Sequence, residues 1–196
     1  MGKVTIKDVK NSEEIKTFLR IAEKQLEVQG YTEHSFRHVE LVSNTAGNIL
    51  KDLGYDEREV ELARIAGYLH DIGNAINRID HAHSGAILAY NILTKMGMDY
   101  SDAAEVMLAI GNHDENTGTA VSNISAALIL ADKSDVHRSR VKNKDFATFD
   151  IHDRVNYAVE SSSITVDREK RVAVLELNID TKICPVMDYF EIFLTR

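Results

Sequence analysis

A single proline in 196 residues, Pro185, is the feature that most limits how this chain can fold. Proline breaks helix interiors, and ahead of Pro185 the apolar residues recur mainly at helical spacing, so the first three-quarters of the chain read as an array of helices. The spacing predicts a first helix over about 13–29, with Ile15, Phe18, Leu19, Ala22 and Leu26 on one stripe and Gly30 to stop it. A second runs over about 34–53 and ends at Gly54. Asp56 caps a third whose apolar residues extend from Val60 to Ile72. Further helices are expected over about 83–96, 101–113 and 121–140.

From Ser163 the period changes. Ile164 and Val166 alternate before the turn DREKR, and Leu175, Leu177 and Ile179 alternate after it, with Val172 and Val174 on the opposite face. That pattern predicts a β-hairpin, and a closing helical segment follows Pro185. The expected class is mainly α, a helical bundle with a small C-terminal hairpin appendage.

Composition narrows the function. The hydrophobic fraction of 44% and charged fraction of 28% are those of a soluble globular protein. No apolar run approaches the ~20 residues that span a bilayer, and the polar N-terminus lacks a secretory pattern. The cytoplasm is therefore the expected location, and no membrane partner is expected. The net charge of −8 opposes sequence-independent binding to a polyanion, so a small substrate is expected rather than a nucleic acid polymer. The one cysteine, Cys184, lies away from the histidines, and a metal site here would use nitrogen and oxygen donors.

Several of the eight histidines fall at ends of expected helices. In LARIAGYLHDIGN an apolar helix carries the pair His70-Asp71 into the interior, and Gly73 allows a tight exit. Neighbouring residues at a helix end can turn an imidazole and a carboxylate toward one ion. Upstream, YTEHSFRHVELV places His34 at a helix start, one turn before His38. Downstream, ILADKSDVHRSR places Asp132 directly after an apolar run.

His34, His70-Asp71 and Asp132, in that order, resemble the four-ligand signature of the HD-domain superfamily of metal-dependent phosphohydrolases, over roughly residues 30–145. The resemblance implies an HD domain over 31–150, an N-terminal helix over 1–30 packed on it, and a C-terminal hairpin and helix over 151–196. Similarity to members that hold two ions adds His81, in DHAHSGAIL, and His113, in AIGNHDE, as ligands. His83, two residues on, would point elsewhere on its helix and is the alternative to His81, and Asp114 stands where relatives often carry a second consecutive histidine. Asp71 would bridge two divalent ions, for which iron or manganese suits the donors and magnesium, cobalt, nickel or zinc is compatible. His70 and Asp71 would form the catalytic centre. After His113 the segment DENTGTAVS has no match to the Gly-Tyr-Pro element of the HD-GYP subgroup.

Many relatives carry a lysine where this chain has Asn74, so phosphate contacts would fall to Asn74, Arg78, Lys133, Arg138 and Arg140. His38 reads as a packed or hydrogen-bonded histidine, and His137 and His152 as surface or structural ones. The implied activity is hydrolysis of a small phosphoester or nucleotide by a metal-activated water. The same ligand set also suits an HD-fold diiron oxygenase or a non-catalytic metal-binding sensor or scaffold. A homodimer is compatible with all three.

Overall fold

Side-chain caps set most of the helix starts. In the computed structural model, which describes residues 3–31, 35–114 and 118–193, Thr5 and Asp8 form a capping box that opens α1 (Ile6–Asn11). Ser12 opens α2 (Glu13–Val28), Ser35 opens α3 (Phe36–Asp52), and Asp56 opens α4 (Glu57–Leu69) by accepting from two backbone N–H groups. A 3₁₀ turn, Ile72–Ala75, leads to α5 (His81–Lys95), which is followed by α6 (Tyr100–Gly111) and α7 (Asn123–Ser134). Asp150 caps α8 (Ile151–Ala158), which runs into β1 (Val159–Asp167) and β2 (Val172–Ile179), and α9 (Val186–Phe193) closes the described chain.

The mainly helical class with a C-terminal hairpin is what the periodicity indicated. Three details differ. The short helices α1 and α8 were not anticipated, although both carry cap residues. The sixth expected helix stops at Ser134 instead of near 140, because Asp135 leaves helical geometry with ψ 75°. Helix α5 begins two residues earlier than expected, which places His81 in its first turn.

Two apolar clusters organise the chain. The larger draws on α1 to α7, including Leu50, Ile65, Leu69, Ile72, Leu93 and Leu128. The smaller joins Val136, Val155, Ala158, Val159 and Cys184. In the antiparallel hairpin Ile164 pairs with Leu175 and Val166 with Ala173, and Ile164 and Val166 pack on the larger cluster. Val172 and Val174 stay exposed on the other face, as their parity requires. Among the described residues no helix is long and apolar enough to cross a membrane.

Close approach of helices positions the site. A Cβ at Gly67 of α4 would lie 2.8 Å from the backbone of Ser43 in α3, so glycine there lets the two helices touch. The Ser43 hydroxyl donates to the Arg64 carbonyl at 2.8 Å and ties the same pair together. This contact brings the start of α3 beside the end of α4.

Candidate metal centre

Five helix ends and one turn converge on a buried cluster of imidazoles and carboxylates. His38 comes from the first turn of α3, His70 caps the C-terminus of α4, and Asp71 opens the 3₁₀ turn. His81 begins α5, His113 follows the end of α6, and Asp132 sits in the last turn of α7. Donor atoms of these six residues form three overlapping sets, each mutually within 4.8 Å: His38, His70 and Asp71; His70, His113 and Asp132; Asp71, His81 and His113.

Gly73 is what lets the 3₁₀ turn and α5 meet. Its backbone lies outside the left-handed region, so the expected role in a tight exit is replaced by another. A Cβ at Gly73 would overlap the carbonyl oxygen of His81 and lie 2.5 Å from the Gly85 nitrogen. Only glycine allows this backbone-on-backbone contact, which sets His81 beside Asp71.

The hydrogen bonds fix which ring nitrogen faces inward. Nδ1 of His70 donates to the Gly67 carbonyl at 2.8 Å, Nδ1 of His113 to the Ile110 carbonyl at 2.7 Å, and Nδ1 of His81 to the Arg78 carbonyl at 3.1 Å. Nδ1 of His38 donates to the Asp135 carboxylate at 2.7 Å. These partners only accept, so each Nδ1 carries a proton and each ring turns its Nε2 into the cluster. There Nε2 of His38 faces Nε2 of His70 at 3.2 Å, and Nε2 of His81 faces Nε2 of His113 at 3.2 Å.

The carboxylates complete both halves. Asp71 turns Oδ2 to His70 at 3.3 Å and to His38 at 3.7 Å, and Oδ1 to His81 at 3.7 Å. Oδ1 of Asp132 lies 3.3 Å from His38 and 3.7 Å from His70. Asp71 therefore reaches both pairs of imidazoles, one oxygen to each.

The local field favours positive charge at His70. Burial lowers its pKa, yet Asp71, Asp132 and the Gly67 carbonyl together outweigh burial and raise it. Burial dominates at His113, whose pKa falls to about 4, and at His81, which is also lowered. Burial raises the Asp132 carboxyl, but Lys133, His38 and His70 overcome that and hold it well below the usual range. Imidazoles held neutral by burial at His81 and His113, beside the ionised Asp132 carboxylate, form a donor set that fits divalent cations.

The expected site residues separate into three groups. His70, Asp71, His81, His113 and Asp132 lie in the cluster, and His34 lies outside the described residues. His38, read from the sequence as packed or hydrogen-bonded, is both, and it also joins the cluster. Its position on the same buried face as Val39, Val42 and Ala46 is the sequence signal for that placement. His83 points away, largely exposed, toward Asp80.

The residues expected to bind substrate are placed unequally. Asn74 is fully buried and donates to Oδ1 of Asp71 at 2.8 Å, which orients that carboxylate and removes Asn74 from substrate contact. Arg138 pairs with Glu160 and lies over the Tyr157 ring, apart from the cavity lining. Arg78, Lys133 and Arg140 line the cavity. Arg78 donates to Nε2 of His81 at 3.2 Å, Lys133 to Asp132 at 2.7 Å, and Arg140 to the Asp135 carbonyl at 2.7 Å.

Asp135 was not singled out in the sequence. It accepts from Arg37 through both oxygens, at 3.2 and 2.9 Å, and holds His38. Burial raises its carboxyl pKa, but the hydrogen bond from His38, the charge of Arg140 and the hydrogen bond from Arg37 keep it far below the usual range. His152, expected on the surface or in a structural role, lines the cavity mouth with Asp150 and Asp153. The cavity is about 320 Å³ and opens over Asp71, His81, His113 and Asp132.

The family model described as HD domain matches residues 35–190. An uncharacterized protein of Methanocaldococcus jannaschii is 30% identical over 168 residues, covering 74% of this chain and 64% of its own length. Ribonuclease Y of Oceanobacillus iheyensis is 29% identical over 160 residues, covering 76% of this chain and 29% of its own. The chain thus spans less than two thirds of either relative. A crystal structure of a predicted HD superfamily hydrolase from an uncultured Thermotogales bacterium is 33% identical, with a TM-score of 0.49 over 63% of this chain and 67% of that one. With the family match running from the start of α3 into α9, this chain belongs to the HD domain family.

Proposed function

We propose that His38, His70, Asp71, His81, His113 and Asp132 hold two divalent cations, and that the chain hydrolyses a small phosphoester or nucleotide at them. The observation that carries this reading is the pair of facing Nε2 atoms at 3.2 Å, twice over, with every Nδ1 engaged by an acceptor. Lone pairs that converge at that distance call for positive charge beside them, which Arg78 gives to His81 and divalent cations would give to both pairs. Asp71, with one oxygen toward each pair, would help to hold both ions. Iron or manganese suits this mixture of imidazole and carboxylate donors.

Bound ions of this kind supply Lewis-acid chemistry: they lower the pKa of water and neutralise charge on a phosphoryl group. The chain's own residues do the rest. Asn74 fixes the rotamer of Asp71, Asp135 fixes the tautomer of His38, and backbone carbonyls fix His70, His81 and His113. Arg78 must release the His81 lone pair before that imidazole can bind an ion, and its guanidinium is then available to a phosphate oxygen. Lys133 and Arg140 add positive charge at the rim. With these groups in place, water attacks phosphorus in line with the leaving oxygen, and no covalent intermediate is needed.

The name ribonuclease Y raises RNA as a substrate. Asp114, Asp150 and Asp153 at the cavity and the net charge of −8 oppose an extended polyanion and favour a small substrate. Anaerobic reconstitution with Mn²⁺ or Fe²⁺ tests the reading, with phosphate release followed over a panel of monoesters, nucleotides and a short oligoribonucleotide. Metal-dependent release from the small substrates is expected. Oxygen consumption with an organic substrate, and no phosphate release, would instead establish an oxygenase.

A further inference from the structure

The reaction cavity has an apolar neighbour. A groove of about 230 Å³ lies between α7, the hairpin and α9, walled by Leu130, Ile164, Leu175 and Tyr189. Two residues, Lys133 and Phe193, line both spaces. Lys133 is amphipathic: its ammonium pairs with Asp132 at 2.7 Å, and its side chain also lines the groove. Phe193, the other shared residue, stacks on Tyr189 with ring centroids 4.9 Å apart.

The two spaces differ in character. The cavity lining includes Asp114, Asp150, His152 and Asp153, where further anionic groups on a substrate would be repelled. The neighbouring groove has Lys133 as its only charged lining residue among those described. Leu130 and Leu175 at its edge remain 39% and 38% exposed, an incompletely covered apolar surface next to a polar reaction centre.

We propose that this groove receives the apolar ester group of the substrate, making a phosphomonoester of an alkyl or similarly apolar alcohol the preferred class. The inference rests on the hydrolase reading given above. With phosphate at the cluster, the ester chain runs along the Lys133 stem and past Phe193. Hydrolysis then bonds the water oxygen to phosphorus and breaks the phosphorus–oxygen ester bond. One water proton goes to the departing alcohol oxygen, and the other stays on the product as hydrogen phosphate.

The test uses the Mn²⁺-loaded full chain and two homologous series, n-alkylphosphonates for binding by calorimetry and n-alkyl phosphates for turnover, each from methyl to hexyl. Binding should tighten about two- to fourfold per methylene as the chain enters the groove. Leu130→Glu and Leu175→Glu should flatten that dependence while leaving methyl phosphate turnover and thermal stability unchanged. Binding indifferent to chain length, or a dependence that survives both substitutions, would overturn the proposal even if methyl phosphate is cleaved. Chain-dependent binding without turnover would retain the groove and contradict the hydrolase reading. A dimer in light scattering that dissociates with either substitution, without altering phosphonate binding, would assign the groove to a second copy and also overturn it.

Discussion

Asp135 accepts from Nδ1 of His38 at 2.7 Å and is gripped by Arg37 through both oxygens, so it sets the orientation and tautomer of that imidazole from behind. Asp135→Asn keeps the shape but loses the charge, and should weaken Mn²⁺ binding by roughly 10–100-fold in a titration followed by electron paramagnetic resonance. Unchanged affinity would remove Asp135 from this role. Gly73→Ala should do more harm for its size, because its Cβ collides with backbone of α5. A loss of about 1–3 kcal/mol in denaturant unfolding, together with impaired ion binding, is expected. At this scale the sequence was readable where chemistry is local, as in His70-Asp71 and Asp132. It was less readable at His38, which meets His70 across 32 positions, and at Asp135, whose partners Arg37 and His38 come from the start of α3.

At the scale of elements, periodicity located the long helices because each has a stripe to bury. It overran α7, where six hydrophobic residues before Asp132 give no hint that Asp135 turns out of the helix to meet Arg37. It passed over α8, whose core contacts Val155 and Ala158 fit within eight residues. The smaller cluster around α8, the hairpin and α9 also buries Cys184. Burial, helped by the nearby Asp188 carboxylate, pushes that thiol up to about 11, so the reactive thiolate is suppressed in the folded chain. Alkylation at pH 8 should therefore run roughly 100-fold slower in the native protein than in the unfolded chain, and should accelerate as pH approaches 11. Equal rates before and after unfolding would show that this cluster does not close over the cysteine.

For the molecule as a whole, the sequence carried the class and the order of the ligand motifs, since both depend on residue type and spacing along the chain. It did not carry the apposition of the two imidazole pairs, which arises only when the ends of α3, α4, α5, α6 and α7 pack together. That apposition is the basis for expecting two ions. Metal content per chain is the most direct measurement, made by mass spectrometry on protein loaded with Mn²⁺ and freed of excess ion. Two ions are predicted for the unaltered chain, one when His81 and His113 are both replaced by alanine, and none for Asp71→Ala. One ion or none in the unaltered chain would contradict the account.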